Sequence, residues 1–105
     1  MSASVALGRD AGEQQRIDYL IGSLAHLQGA VFIRNGSEYN ATDAQQHLRH
    51  KLAFAGERIK TAEQFIKYCA SQSSVSHQPY RIRFANGQTV NTATFFEQEL
   101  KTYKP

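Results

Sequence analysis

Asp43, His47 and His50 are the best candidates in this sequence for holding a metal ion. At 100° per residue they fall within an arc of about 60° on a helix, so one carboxylate and two imidazoles could converge on a divalent cation. The competing reading is a solvated helical face on which His47 borders the core, because no outer partner that would orient the two rings can be identified. Lys51 lies on the same helix between Ala44, Leu48 and Ala55, in the middle of the apolar arc. A lysine there snorkels outward, pairs with a carboxylate such as Glu63 or Glu38, or aims its ammonium group into a cleft.

The run Ser71–Ser76, with Ser73 and Ser74 inside it, precedes Tyr80 and could present hydroxyl groups to a ligand. A nucleophilic serine would need a base such as His47 or His77, and nothing in the spacing orients one. Cys69 sits at the centre of an apolar stripe, which implies burial without an activating charge. Arg34, Arg49, Arg81 and Arg83 are suited to bidentate contact with carboxylate or phosphate, either as one basic face or as four separately solvated groups. The sequence has no Gly-x-Ser-x-Gly elbow, phosphate loop, His-Glu-x-x-His, paired zinc cysteines or dinucleotide fingerprint.

Helical spacing of Ile17, Leu20, Ile21, Leu24 and Leu27 predicts a first helix over Asp10 to Gln28, with Gly29 as its stop. Val31 to Arg34, Asn35-Gly36 and Ser37 to Tyr39 form a hairpin with a type I′ turn. Capping boxes at Thr42–Gln45 and Thr61–Gln64 open the second helix, which runs to about Ala55, and a third bearing Ala62, Phe65, Ile66, Cys69 and Ala70. After the serine loop, Pro79 forces extension on Gln78. Tyr80, Ile82 and Phe84 then alternate toward the core, and Asn86-Gly87 turns the chain into Gln88–Val90. Thr92 caps a last helix carrying Phe95, Phe96, Leu100 and Tyr103. The expected fold is α+β, with four helices and two short hairpins around one core, preceded by a disordered tail over residues 1–9.

A chain of 105 residues, 41% hydrophobic and 20% charged, suits one domain. The net charge of +3 is scattered, which argues against a nucleic-acid arm. A single cysteine forms no internal disulfide. No apolar run approaches the ~18 residues of a membrane span, and residues 1–8 lack the basic and apolar regions of a secretory signal.

The series Phe32-Ile33-Arg34-Asn35-Gly36, Tyr39, Ala44, His47-Leu48-Arg49, Lys51, Ile59, Thr61-Ala62-Glu63, Phe65-Ile66, Ala70-Ser71, Ser73-Ser74, Ser76 and Pro79-Tyr80-x-Ile82-Arg83 resembles the bacterial DUF5329 family. The likeness runs from about Ile17 to Tyr103, in several blocks in order. It implies a small envelope protein of Gram-negative bacteria, made with a signal or lipoprotein signal, and hence a periplasmic location. Two departures stand out: His77 where the family tends to carry Gly, and the missing signal. The function expected is non-catalytic binding of another macromolecule, with an immunity protein or an inhibitor of a cell-wall hydrolase as the sharper form. The expected binding residues are Arg34, Asn35, Tyr39, His47, Arg49, Lys51, Ser74, Ser76, Tyr80, Arg81 and Arg83, with no cofactor and no metal. The alternatives are a metal-dependent site at Asp43, His47 and His50, and a nucleic-acid-binding module.

Overall fold

A computed structural model describes residues 9–105, so most of the expected disordered tail lies outside the described residues. Arg9 is tied down: its guanidinium donates to the Ile59 carbonyl at 2.8 Å and to Gln14 Oε1 at 2.8 Å. The elements are α1 (Ala11–Ser23), β1 (Val31–Arg34), β2 (Ser37–Tyr39), α2 (Ala41–Ala55), α3 (Ala62–Cys69), β3 (Arg81–Arg83), β4 (Thr89–Asn91) and α4 (Thr92–Thr102). Short 3₁₀ turns follow α1 at Leu24–His26 and α2 at Gly56–Arg58. The fold is α+β.

Local chemistry explains the boundaries. Asp10 caps α1 by accepting the Glu13 N–H, and Thr61 caps α3 by accepting that of Gln64. The cap of α2 is Asn40, which accepts from the Asp43 N–H at 2.8 Å, so the helix starts before Thr42. The Thr42–Gln45 box does not form, and Gln45 instead reaches the Ile21 carbonyl at 2.9 Å, joining α2 to α1. Thr92 is likewise the first helical residue of α4 rather than its side-chain cap, and it is buried.

The two hairpins do not stand apart. Antiparallel pairing of β1 with β3 merges them into one sheet of order β2-β1-β3-β4, with Phe32 opposite Ile82. The first turn has Asn35 and Gly36 both at positive φ, as its type requires. The second closes with the Gly87 N–H donating to the Phe84 carbonyl at 2.8 Å, and there only Gly87 has positive φ. Strand alternation sends Phe32 and Ile82 inward and leaves Arg81 exposed.

The core joins Ile17, Leu20 and Ile21 of α1 to Phe65 and Ile66 of α3, Ile82 and Phe96. The Phe65 and Phe96 rings lie 6.1 Å apart. Glu13 and Arg16 clamp α1 to α3: Arg16 pairs with Glu13 at 2.9 Å and Glu63 at 3.0 Å, while Glu13 also accepts from the Ala62 N–H. Among the described residues no helix is long and apolar enough to cross a membrane.

Candidate functional site

The side chains of α2, β1 and the segment entering β3 meet in one polar chain. Arg34 Nη1 lies 3.3 Å from His47 Nδ1, His47 Nε2 lies 3.1 Å from the Tyr80 hydroxyl, and Lys51 Nζ donates to that hydroxyl at 3.0 Å. Arg34 Nη2 donates to the Tyr39 hydroxyl at 3.1 Å. Lys51 also donates to the Gln72 carbonyl at 3.2 Å. Its position 4.9 Å from the Tyr80 ring centroid follows from bonding to the hydroxyl, so no separate cation–π contact is needed to account for it.

Electrostatics keep His47 neutral. Burial is the main cause, followed by the charges of Arg34, Lys51 and His50, and together they lower its pKa to about 4. Lys51 has no carboxylate partner among the described residues. Glu63 is taken by Arg16, which holds the Glu63 carboxyl below its usual range, and Glu38 pairs with Arg83 at 2.9 Å. The expected Lys51 ion pair is therefore replaced by hydrogen bonds to a phenol and a backbone carbonyl.

Asp43, His47 and His50 border the same cavity of about 400 Å³ between α2 and the sheet. Among the described residues no group of three His, Cys, Asp or Glu side chains is arranged to hold an ion, these three included. Both His47 nitrogens are already engaged by Arg34 and Tyr80.

The arginines do not assemble one basic face. Arg34 turns inward to His47 and Tyr39, Arg83 pairs with Glu38, and Arg49 and Arg81 stay exposed on a helix and a strand. The serine loop is mostly knitted into the scaffold. Ser71 donates to the Ile66 carbonyl, buried Ser73 accepts from the Val75 and Ser76 N–H groups, and Ser76 hydrogen-bonds Asn35 in the first hairpin turn. No serine among the described residues is hydrogen-bonded to an imidazole, and His77 Nδ1 contacts Gln72 instead. Cys69 is buried, and burial pushes its thiol pKa up.

His77 adopts φ 63°, the left-handed region that glycine enters without steric cost. The loop thus holds a histidine in a conformation that favours glycine. The family model for a family of unknown function, DUF5329, matches residues 11–104. The chain belongs to the DUF5329 family. A similar protein is "Uncharacterized protein YfeK" of Salmonella typhimurium (strain LT2), 44% identical over 71 residues. That match covers 68% of this chain and 59% of the relative, so the chain spans less than two thirds of the relative's length. No solved structure matches.

A second surface was not legible in the sequence. Among the described residues the exposed large hydrophobics are Phe54, Tyr68 and Val75, at 83%, 60% and 86% exposure. Phe54 of α2 and Tyr68 of α3 line one groove with Lys51, Arg58 and Ser74. Arg58 lies 5.8 Å from the Phe54 ring and Lys67 lies 5.3 Å from that of Tyr68. The available sequence signal was Phe54 itself, a large apolar residue about 120° from Leu48, on the polar arc of α2 between Asp43 and His47.

Proposed function

We propose that this domain is a non-catalytic envelope protein that binds another protein through the groove between α2 and α3. The observation carrying this reading is that Phe54 and Tyr68, both exposed, line a single groove. Exposed apolar side chains scattered singly need no explanation, whereas a cluster with a polar rim marks an interaction surface. The titratable groups lining the groove, other than its tyrosine and buried cysteine, are His50, Lys51 and Arg58, and no carboxylate is among them. The complementary partner surface is therefore apolar at its centre and acidic around it. Aromatic and arginine side chains are also the types that dominate binding energy at protein interfaces.

Of the residues expected from sequence, Lys51 and Ser74 lie at this groove, while Arg34, Tyr39, His47, Tyr80 and Arg81 line the cavity beside the earlier turns of α2, and His50 borders both. The family resemblance supports a periplasmic location, where an exported toxin or a cell-wall hydrolase would be the partner class. Fractionation of the natural gene product tests the location.

Photo-crosslinking in cells tests the interface. A crosslinker at position 54 or 68 should trap one discrete protein, and the same group at exposed Gln98 should not. The purified partner should then lose about ten-fold or more in affinity for Phe54→Ser and for Arg58→Glu. Equal crosslinking at all three positions, or none at 54 and 68, would refute the assignment.

A further inference from the structure

The cavity between α2 and the sheet adjoins that groove, with His50 lining both, and proton bookkeeping along its polar wall defines its chemistry. Arginine only donates, so His47 Nδ1 must accept from Arg34, and the ring proton of the neutral imidazole resides on Nε2. His47 Nε2–H then donates to the Tyr80 hydroxyl, and Lys51, which also only donates, fills the second acceptor position. The opposite tautomer would set a ring N–H against the guanidinium. The Tyr80 O–H hydrogen is left with no acceptor among the described residues, although Tyr80 is only 6% exposed. Tyr39 repeats the arrangement: its hydroxyl accepts from Arg34, and its own hydrogen has no acceptor among the described residues.

Buried donors are ordinarily matched by acceptors. Here two phenolic hydrogens and a guanidinium lie along one wall, and Tyr39, Tyr80 and Arg34 all line the cavity. Leu24, Phe32 and Leu48 contribute an apolar lining to the same space. The geometry points to a binding site for a small organic carboxylate with an apolar body, its oxygens accepting from Tyr80, Tyr39 and Arg34. Asp43 shares the lining and carries negative charge, so a singly charged carboxylate meets less repulsion than a phosphate dianion. The volume of about 400 Å³ lies in the range of small-molecule sites. Lys51 and His47 act as positioning residues that fix the direction in which the Tyr80 hydrogen is offered.

Amide and imidazole NMR titration of the full chain with octanoate, 1-octanol and inorganic phosphate as separate probes tests the site. Octanoate should produce saturable shifts at Phe32, His47 and Tyr80, bind at least about ten-fold more tightly than octanol, and raise the His47 pKa. Tyr80→Phe and Tyr39→Phe should each weaken octanoate about five-fold or more while leaving octanol unchanged. Tyr39 is only half-buried, so its variant retains the fold if Tyr80→Phe does not. No saturable shift with octanoate up to about 10 mM, equal binding of octanol, or tighter occupation of the same residues by phosphate would each overturn the assignment.

Discussion

Acid should destabilise this fold through His47 before it acts through the carboxylates. The His47 pKa is lowered to about 4 in the fold, by burial first and by Arg34, Lys51 and His50 after it, whereas in the unfolded chain the ring titrates near its ordinary value of 6.5. Between those two values the unfolded chain binds more protons than the fold, so stability declines as pH falls through that window. The full separation would correspond to about 3 kcal/mol. Because the ring retains contact with water, screening reduces the expected loss to about 1–2 kcal/mol. Glu63, held below its usual range by hydrogen bonding to Arg16, contributes stability that is lost only at lower pH, below about 4.5. Urea denaturation at several pH values should show the loss in the wild type and its near absence in His47→Gln, whose amide can still accept from Arg34 and donate to Tyr80. Imidazole NMR would follow the same group directly. A His47 pKa near 6.5, or equal acid losses in wild type and variant, would refute the network as drawn.

Three further outcomes follow from backbone geometry and capping. His77→Gly should stabilise the protein by up to about 1 kcal/mol, because relief of the left-handed backbone outweighs the added freedom of the unfolded glycine; a loss of stability on thermal unfolding would show that the Gln72 contact matters more. Asn40→Ala should cost about 1 kcal/mol and Thr42→Ala less than about 0.5, measured by chemical denaturation, and the reverse order would return the cap of α2 to Thr42. Gly29→Ala should cost roughly 2 kcal/mol, since φ is +76° and an added Cβ would lie 2.9 Å from the Cβ of Ala85; an unchanged melting temperature would mean that the hairpin yields freely there.

Local patterns in the chain were enough to specify the elements. Helical periodicity placed Ile17, Leu20 and Ile21 in the core, and Asn35-Gly36 encoded a turn that depends only on the conformational freedom of two residues. Lys51 drew attention beside Ala44, Leu48 and Ala55, although at 100° per residue it lies at the border of that arc, about 20° beyond Ala44. Which groups satisfy Lys51 was a different kind of question. Glu63 and Glu38 were equally plausible partners in sequence, and only the docking of α1 on α3 and of β1 on β3 assigned them to Arg16 and Arg83. Likewise Thr42 and Asn40 both have capping side chains, and the reach of Gln45 to Ile21 across the helix interface accompanies the choice of Asn40. The gathering of Arg34, His47, Tyr80 and Lys51, and of Phe54 with Tyr68, depends on contacts between residues far apart in the chain. One-dimensional spacing carries no information about such contacts; they exist only once the helices and the merged sheet have packed.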